Sequence, residues 1–572
     1  MLFRKHFGRF YLKHAFVFLL GIAILVAIDY IQLIIPKIIG KITSAIEKLS
    51  ADSFDASAIW DLVKPGLLTI LGIIAAIVVG RFLWRYLLFG AARKIEEALR
   101  MDMFAHASKL SQSFYSEEKV GGLMSKFTQD IEAVRQSFGL GLLMLVDGLV
   151  LGGLVLYNMF KIHWQLTLYA FLPLLIIAVV VLILSKQIQS RFKKRQESIE
   201  KMSDFTQENF SGISVIKAYV KEEREAKTFV KHTDDVYNKD MSFMRFAIVI
   251  NIAIGFTIIA IATAIMIYGS YLIAHDLEVG KINPMDSGLL TEYISYFFTL
   301  IWPVMALAQF VNIHAQAQAS ASRISELLDE PITIKDDEHT IHNPSPLTGA
   351  IKVNHLTFTY PDGQKPVLED LTFAIKAGEM IGVLGRTGSG KSSLVELLLR
   401  VYNAPNDSIY FDSYDMMHLP IKHLRSHIGY VPQDNFLYSD SIAENIGFAF
   451  DKPDQKVVEE AAKLSDVYEN IIDFTEGFDT VLGERGVTVS GGQKQRISIA
   501  RAIAKNPEIL ILDDSVSAVD TKTEEAIISN LRKVRKNKTT IIIAHRISTV
   551  KKMDKIVLLD KGKLVGFGSH QA

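Results

Sequence analysis

Long apolar stretches dominate the first half of the chain. Six of them contain at least the roughly 20 residues that a helix needs to cross a bilayer. They lie at Ala15–Ile35, Gly66–Gly90, Phe138–Phe160, Trp164–Ser185, Phe246–Ala274 and Gly288–Ile313. In the polar segments 91–137 and 186–245, apolar residues recur every three or four positions, which predicts helices. The pattern therefore predicts an α-helical transmembrane domain of six spans in residues 1–320.

The pattern changes after the last span. Residues 321–348 are small and polar and contain Glu330-Pro331 and Asn343-Pro344, which predicts a linker between domains. From residue 349 to residue 572, short runs of strand length alternate with helix-like runs and turns. This alternation predicts an α/β domain.

Positive charge is distributed unevenly around the six spans. The segments 91–137 and 186–245 hold 7 and 13 lysines and arginines, and the first fourteen residues hold 4. The three loops on the opposite side, 36–65, 161–163 and 275–287, together hold only 6. The positive-inside rule therefore predicts that both long segments and the N-terminus are cytoplasmic. An even number of spans brings the α/β domain and the C-terminus to the same side.

Each long cytoplasmic segment contains glycines that predict a break in its helix. The breaks are expected at Gly121-Gly122 and at Gly212. They predict short crosswise helices near 113–122 and 209–217, where the membrane domain can dock on another domain.

Composition narrows the class of protein further. A chain of 572 residues is too long for one core, and 49% hydrophobic residues exceed the globular norm. Lysine plus arginine (62) equals aspartate plus glutamate (62), which gives no support for nucleic-acid binding. The absence of cysteine excludes disulfides, cysteine nucleophiles and thiolate metal sites. Basic residues precede the first span with no small-residue cleavage site after it, which predicts an uncleaved first helix.

Three acidic residues fall inside predicted spans: Asp29, Asp147 and Glu292. Ionisable groups at membrane depth are costly and indicate function by default. The alternative is a helix-packing contact or a position near the interface, and this interpretation is favoured for Asp29 and Glu292. For Asp147, in an otherwise uncharged run, both interpretations stand equally. Large apolar side chains in the last span suit amphipathic cargo and lipid contact alike: Phe297, Phe298, Trp302 and Met305.

A phosphate-loop motif organises the second half of the chain. The pattern GxxxxGK[ST] is matched at every specified position by Gly385, Arg386, Thr387, Gly388, Ser389, Gly390, Lys391 and Ser392. A strand-like run precedes it and a helix-like run from Ser393 follows it, which is the context that the motif requires. Glycines let backbone N–H groups surround phosphate oxygens, Lys391 can reach the β and γ phosphates, and Ser392 can hold Mg²⁺. We therefore predict that the chain binds ATP and Mg²⁺.

Two elements downstream argue against a chance match. A buried-strand run ends in Asp513, an arrangement that holds Mg²⁺ through a carboxylate. Upstream of it, a helix-like run is preceded by Ser490, Gly491, Gly492 and Gln493. This SGGQ element resembles the signature of the ATP-binding cassette (ABC) family. In that family the signature binds the γ-phosphate held by a partner cassette, which a serine and exposed helix N–H groups can do.

Further motifs of the ABC family are matched in the same order along the chain. They are Tyr360, Gln433, Gly483-Glu484-Arg485-Gly486, Ser517-Ala518-Val519-Asp520 and His545. The resemblance implies that Tyr360 stacks on adenine, that Gln433 contacts metal and water, and that His545 contacts the γ-phosphate. The resemblance also implies that Gly483-Glu484-Arg485-Gly486 is an exporter-specific loop and that Ser517-Ala518-Val519-Asp520 is the D-loop. Each alone would fit a structural role equally well, and their common order carries the resemblance.

The resemblance covers the whole chain, because six spans followed by one cassette is the layout of ABC exporter half-transporters. It implies that the segments around Gly121 and Gly212 are coupling helices. It also implies that the chain works beside a second, similar chain in a bacterial cell membrane. Family members usually continue with a further helix beyond Gly568-Ser569-His570-Gln571-Ala572, so a truncated sequence is expected.

One departure from the family pattern concerns catalysis. Hydrolytic sites of the family carry glutamate after the strand's aspartate, whereas this chain has Asp514, whose side chain is one methylene shorter. Misplacing a catalytic group slightly can lower a rate by orders of magnitude. The pattern resembles the degenerate-site subunit of heterodimeric bacterial multidrug exporters. We therefore expect ATP-driven export of small amphipathic or apolar compounds by a heterodimer of two homologous half-transporters in contact with membrane lipid.

Other functions remain open from the sequence. A lipid or peptide exporter is the nearest alternative within the same class. An ATP-gated channel or a regulatory subunit that binds nucleotide without pumping belongs to another class. A soluble ATPase acting on nucleic acid is contradicted by the six spans.

Overall fold

The computed structural model of the chain describes residues 6–52, 56–279, 284–483, 486, 488–515, 520–544 and 546–571. Contacts divide the chain into two units. The helical unit comprises Met1–Met103 and Met124–Leu327. The α/β unit comprises Phe104–Leu123 and Leu328–Ala572, so it includes a short part of the first half of the chain.

Nine helices are described up to residue 329. They are α1 (Gly8–Gln32), α2 (Ile34–Asp52), α3 (Ala56–Ala107), α4 (Gln112–Glu117), α5 (Val120–Ile162), α6 (Trp164–Ser211), α7 (Ile213–Ala218), α8 (Glu222–Glu278) and α9 (Ser287–Asp329). Five helical stretches in the described part of the chain are long and apolar enough to cross a membrane. The first comprises α1 and α2, and the others lie in α3, α5, α8 and α9. The predicted fourth span lies in α6, whose side chains are described only in part.

Aromatic side chains of α9 lie at the centre of the helical unit's core. Tyr293, Tyr296 and Phe297 are completely buried. The Tyr293 hydroxyl donates to Thr167 Oγ1 at 3.2 Å, and the Tyr296 hydroxyl donates to the Leu33 carbonyl at 3.0 Å. Buried hydroxyls need such partners, so these bonds fix α9 against α6 and against the junction of α1 and α2. Phe297 is therefore a packing residue and not a cargo contact.

The predicted break at Gly121-Gly122 is wrong. Both glycines are helical, since α5 begins at Val120, and the chain turns instead at Glu118, whose backbone is extended. No neighbouring atom lies within 4 Å of a Cβ placed on Gly121, so nothing requires a special conformation there. A helix does end at Gly212, which caps α6 before the six residues of α7.

The predicted linker, 321–348, is helical in its first part, because α9 continues to Asp329. This stretch contains Ala321, Arg323, Glu326, Leu327 and Leu328, whose residue types have high helix propensity, and this favours the continuation. Beyond it the chain is irregular up to β1 and is held by the buried Arg400. This side chain donates to the carbonyls of Leu419 at 2.7 Å and Lys335 at 3.4 Å.

Ten strands form two sheets in the α/β unit. They are β1 (Ile351–Phe358), β2 (Leu368–Ile375), β3 (Met380–Gly385), β4 (Ile409–Phe411), β5 (Tyr414–Asp415), β6 (Ile428–Val431), β7 (Ile509–Asp513), β8 (Thr539–Ile543), β9 (Lys555–Asp560) and β10 (Lys563–Gly568). The four-stranded sheet has the order β2-β1-β4-β5 and is antiparallel. The six-stranded sheet has the order β10-β9-β3-β8-β7-β6, and β9, β3, β8, β7 and β6 are parallel.

The helices of the α/β unit surround these sheets. After α4 they are α10 (Lys391–Leu398), α11 (Ile421–Ser426), α12 (Ile442–Ile446), α13 (Gln455–Leu464), α14 (Tyr468–Ile472), α15 (Gly491–Ala504), α16 (Thr521–Val534) and α17 (Ile547–Val550). Every residue of β7 and β8 is buried, as expected for parallel strands covered on both faces. Ligands of such sheets bind at the carboxyl ends of the strands, where β3, β8, β7 and β6 all end together.

Candidate nucleotide-binding site

The phosphate loop joins the end of β3 to the start of α10. Gly388 and Gly390 have φ angles of 80° and 95°, a region that favours glycine. A Cβ on Gly390 would lie 2.5 Å from the Leu368 side chain, so a larger residue would not fit. Arg386, Thr387 and Gly388 are exposed at the tip. The loop therefore presents its backbone to solvent at the start of a helix, where the helix dipole favours an anion.

Lys391 closes the phosphate loop from inside. Its Nζ donates to the carbonyls of Gly385 at 2.8 Å and Arg386 at 2.9 Å, and the residue is buried. Burial lowers the pKa of Lys391, and the charges of Asp513 and Asp514 oppose that shift. The ammonium is thus held by two loop carbonyls, from which it can turn to phosphate oxygens.

Ser389 and Ser393 lie on either side of this lysine, and both are buried. The Ser389 hydroxyl has no hydrogen-bond partner within the described part of the chain. A buried donor without a partner is costly, and a phosphate oxygen is a partner that the loop is built to receive. The loop residues therefore fit a nucleotide phosphate.

The strand ends bring two predicted site residues, Asp513 and Gln433, to the same edge. Asp513 ends β7 beside Ile543 of β8, and Val431 of β6 pairs with Leu512 of β7. Gln433 follows β6 by two residues and is exposed. His545 follows β8 by two residues but lies outside the described residues. The phosphate loop, Asp513 and Gln433 thus share the carboxyl edge of the sheet.

Hydrogen bonds to both of its peptide groups fix the backbone of Asp514. Its φ is 45°, in the left-handed region, which aspartate tolerates better than most residues. Its N–H donates to the Ile543 carbonyl at 3.1 Å, and its own carbonyl accepts from Gln495 Nε2 at 3.3 Å. The backbone of Asp514 is therefore fixed by β8 and α15. Sequence analysis missed Gln495; its only signal is a polar residue on the buried face of α15.

Tyr360 lies beside α10 in a cluster of aromatic rings. Its hydroxyl is hydrogen-bonded to Glu396 Oε2 at 2.7 Å and Ser393 Oγ at 2.8 Å. Its ring meets that of Tyr402 edge to face, with centroids 5.0 Å apart. Burial raises the pKa of Tyr360 to about 12, so the hydroxyl stays protonated. Adenine stacking remains a prediction for Tyr360, and sequence analysis missed its partners Glu396 and Tyr402.

The signature residues form the start of α15. Ser490 is the N-cap: its Oγ accepts from Gln493 N at 3.3 Å, and Gln493 Oε1 accepts from Ser490 N at 2.9 Å. This capping box fixes the first turn. Ser490 and Gly491 are exposed, and no atom lies within 4 Å of a Cβ placed on Gly491. Together with Gly492, they leave an open helix start that an anion can approach.

Parts of two other motifs lie outside the described residues: Glu484 and Arg485 of the exporter-specific loop, and Ser517, Ala518 and Val519 of the D-loop. The last residue of the D-loop, Asp520, is described. It caps α16 by accepting from the N–H groups of Lys522 and Thr523, both at 3.1 Å. Bonds from Thr523 lower the pKa of Asp520, so this carboxyl is ionised.

The donor atoms at the carboxyl edge suit Mg²⁺. Asp513, Ser392 and Gln433 offer a carboxylate, a hydroxyl and an amide oxygen, the hard ligands that Mg²⁺ prefers. Within the described residues, no group of three or more His, Cys, Asp or Glu side chains could hold a metal. The set therefore fits an Mg²⁺ whose remaining ligands are nucleotide phosphates and water, and not a cage made of protein alone.

Comparisons with known proteins follow the same division of the chain. The family model of the ABC transporter transmembrane region matches residues 18–304, and the ABC transporter model matches residues 368–517. The chain is 35% identical to a probable multidrug resistance ABC transporter ATP-binding/permease protein of Bacillus subtilis, over 99% of this chain and 94% of that protein. It is 36% identical to the multidrug resistance-like ATP-binding protein MdlA of Escherichia coli, over 96% of this chain and 90% of that protein.

One solved structure is similar along nearly the whole chain. It is that of a bacterial Atm1-family ABC exporter with ATP bound, with a TM-score of 0.75 and 24% identity. The likeness covers 99% of this chain and 95% of that one. At this identity it supports the fold alone.

Proposed function

The chain belongs to the ABC transporters, and from that premise we propose that it is one half of a heterodimeric exporter of amphipathic or apolar compounds. The predicted fold class, an α-helical transmembrane domain of exporter type followed by an α/β nucleotide-binding domain, is confirmed. The chain is an ATPase of the membrane whose hydrolysis of ATP is coupled to transport. The partner, the cargo and the asymmetry of its ATP sites are proposals.

The proposal rests on one observation: this chain supplies two separate parts of a nucleotide-binding site. The phosphate loop, Asp513 and Gln433 share one edge of the sheet. Within the described residues, the exposed start of α15 at Ser490 makes no hydrogen bond to any of them. The start of α15 can bind an anion but is open to solvent, so a second cassette is needed to bring a bound phosphate to it. Two chains facing each other would complete two sites.

The role of each residue follows from its position. Lys391 would turn from the loop carbonyls to the γ-phosphate, while Ser392, Asp513 and Gln433 would hold Mg²⁺. That ion would neutralise phosphate charge during transfer. Tyr360 would stack on adenine, and His545 would contact the γ-phosphate. Closure of two cassettes on ATP would turn the joined membrane domains outward, and hydrolysis would reset them.

Asp514 supports an asymmetric pair. Its backbone is fixed at both ends of the residue, so the shorter side chain cannot be moved forward cheaply to where a glutamate carboxylate would lie. The site on this chain would then hold ATP and turn it over slowly. The partner would supply the glutamate for the other site, which Ser490 completes. The alternative is a homodimer in which Asp514 acts as a weak base at both sites.

The tip of α7 supports docking on a second chain. Val215, Tyr219 and Val220 are 59%, 71% and 81% exposed. Val220 also has a φ of 50°, which is strained for a β-branched residue. Exposed apolar side chains on a short helix suit an interface. We propose α4 and α7 as the coupling helices, on the cytoplasmic side with both termini.

The cargo class is supported by relatives and by the last span. Two relatives carry multidrug resistance in their names. On α9, Phe298, Trp302 and Met305 are 51%, 47% and 63% exposed, so they can contact an apolar compound or lipid. Domain boundaries at residues 1–320, 321–348 and 349–572 remain part of the proposal.

Transport by sealed inverted vesicles tests the function. ATP should drive uptake of an amphipathic dye against its gradient, and Lys391→Ala should abolish this uptake. Movement only down a gradient, gated by ATP, would indicate a channel. ATP-driven movement of lipid or peptide, without dye, would overturn the multidrug cargo and keep the pump.

A further inference from the structure

Two of the three acidic residues in the predicted spans line one cavity of the helical unit. The cavity has a volume of about 510 Å³ and lies between α1, α3, α5 and α9. Asp29 and Asp147 are only 4% and 7% exposed, whereas Glu292 is half-buried and lies elsewhere. A cavity of this size can hold the polar end and part of the body of a small amphipathic molecule.

Both carboxylates have an oxygen without a partner. Trp302 Nε1 donates to Asp147 Oδ2 at 2.8 Å, which orients that carboxylate. Asp147 Oδ1 and Asp29 Oδ2 are buried and, throughout the described part of the helical unit, no group donates a hydrogen bond to them. Two such atoms, on side chains that line one cavity, are costly unless a donor or a cation reaches them.

The helix around Asp147 departs from regular geometry. Three π-helical turns interrupt α5, at Lys126–Asp130, Ser137–Gly141 and Asp147–Leu151, and Asp147 begins the third. Turns of this kind occur frequently at functional sites, because they redirect one side chain from a helix that otherwise packs regularly. The turn is a feature of the backbone and is independent of the unpartnered oxygens.

Two arginines line the same cavity, and each has another partner. Arg81 Nη2 donates to Gln32 Oε1 at 3.0 Å, and the Arg85 guanidinium lies over the Trp84 ring at 5.4 Å. Both arginines are exposed, whereas the carboxylates are buried. Trp84 is 3% exposed and its Nε1 also lacks a partner within the described residues, so it can donate to an oxygen of a ligand.

We propose that Asp29 and Asp147 bind the ammonium group of an amphipathic organic cation, whose apolar body lies against Trp84 and Trp302. An ammonium donates N–H bonds to the two carboxylate oxygens that lack partners, and it adds a positive charge to that of Arg81, which lines the same cavity. The indole rings add apolar contact and attraction between a cation and a ring. The inference rests on the proposed export function for its physiological meaning, since it names the cargo class of that exporter.

A matched pair of probes tests the charge requirement. Dansylcadaverine carries a protonated primary amine, and its N-acetylated form has the same fluorophore without the charge. The purified complex in lipid nanodiscs should bind the charged probe about tenfold or more tightly, as expected for hydrogen bonds to charged groups. Energy transfer from tryptophan to the dansyl group measures this without any variant. Equal affinity of both probes would overturn the proposal.

Variants then locate the site. Asp147→Asn and Asp29→Asn should remove the preference for the charged probe and leave binding of the neutral one unchanged. Asp147→Glu keeps the charge and should keep most of the preference. Asp61→Asn removes an exposed carboxylate of α3 outside the cavity and serves as the control. Arg81→Gln should keep or increase the preference.

Loss of binding that does not depend on the charge of the probe would indicate that Asp147 and Arg81 form a structural ion pair. Equal loss of both probes in Asp147→Asn and Arg81→Gln would assign the carboxylates to packing and overturn the proposal. Failure of the export function would look different. The charge preference in binding would remain, while ATP would drive no uptake of either probe into vesicles.

Discussion

The two ends of the nucleotide-binding machinery are built in opposite ways. At the phosphate-loop end, parallel strands that are buried at every position of β7 and β8 bring Lys391 and Asp513 together from distant parts of the chain. At the signature end, Ser490 and Gly491 are exposed and held by a capping box within four residues. One end depends on long-range packing, and the other on local hydrogen bonds.

This difference indicates where the proposed second chain would act. The phosphate-loop end has a buried lysine, so a phosphate enters a site that is already formed. The signature end has an open helix start, which attracts an anion but cannot hold a nucleotide alone. Loss of the first end should therefore abolish binding, whereas loss of the second should spare binding and slow hydrolysis.

The largest effect is expected at the phosphate-loop end. Within the described residues, Lys391 is the only lysine whose ammonium donates to the carbonyls of the phosphate loop. Lys391→Ala removes this positive charge, so the ATP site formed by this loop should lose ATP. Binding of a labelled ATP analogue should fall from two sites per dimer towards one. Lys452→Ala removes an exposed lysine and should leave both sites intact. Unchanged two-site binding in Lys391→Ala would contradict the assignment.

A large effect on rate is expected at the signature end. Ser490→Ala should lower steady-state hydrolysis by the complex about 10²-fold, because it removes a group that acts on the transferring phosphate. Nucleotide affinity should change little. Ser441→Ala is the matched control, since Ser441 also caps a helix through its Oγ and lies in the same unit. A similar loss of rate in both variants would attribute the effect to capping alone.

A moderate effect is expected at α7. Val215→Ser or Tyr219→Ser should lower the number of molecules transported per ATP about fivefold, since an interface residue of this kind contributes ~1 kcal/mol or more. ATP affinity should stay the same. Val230→Ser makes the same change on an exposed position of α8 and serves as the control. Loss of ATP binding in the α7 variants would show that α7 is not a coupling helix.

The smallest effect is expected from Asp514→Asn. Because this side chain is short and its backbone is fixed, it contributes little to hydrolysis in the proposed complex. The rate should fall less than about tenfold, compared with about 10²-fold for a well-placed catalytic group. Asp514→Glu should raise the rate of this site. No gain from glutamate would indicate that the backbone geometry, and not side-chain length, limits it.

The placement of the phosphate-loop residues could be predicted from the sequence, because each of them lies at the end of a strand or the start of a helix. A loop between a strand and a helix, and an aspartate after an apolar strand, lie at a sheet edge in any parallel sheet. Asp513 and the phosphate loop are therefore brought together as the motifs imply. The break expected at Gly121 failed because glycine permits a turn without requiring one.

Contacts between side chains could not be predicted from the pattern. Gln495 reaches the Asp514 carbonyl only because α15 packs near the end of β7, and no motif marks it. Phe297 and Phe298 are neighbours in the sequence, yet one is buried and the other exposed. The cavity of Asp29 and Asp147 depends on four helices, whose contacts hydropathy does not specify.

The central claim is that two different chains form one competent and one degenerate ATP site. The direct test is the ATPase rate of the purified chain alone, of the complex with its co-purified partner, and of that complex with Ser490→Ala or Asp514→Asn. We expect little activity from the chain alone, high activity from the complex, a large loss in Ser490→Ala and a small loss in Asp514→Asn. Full activity from the chain alone, abolished by Asp514→Asn, would contradict the heterodimer and establish a homodimer with Asp514 as its base.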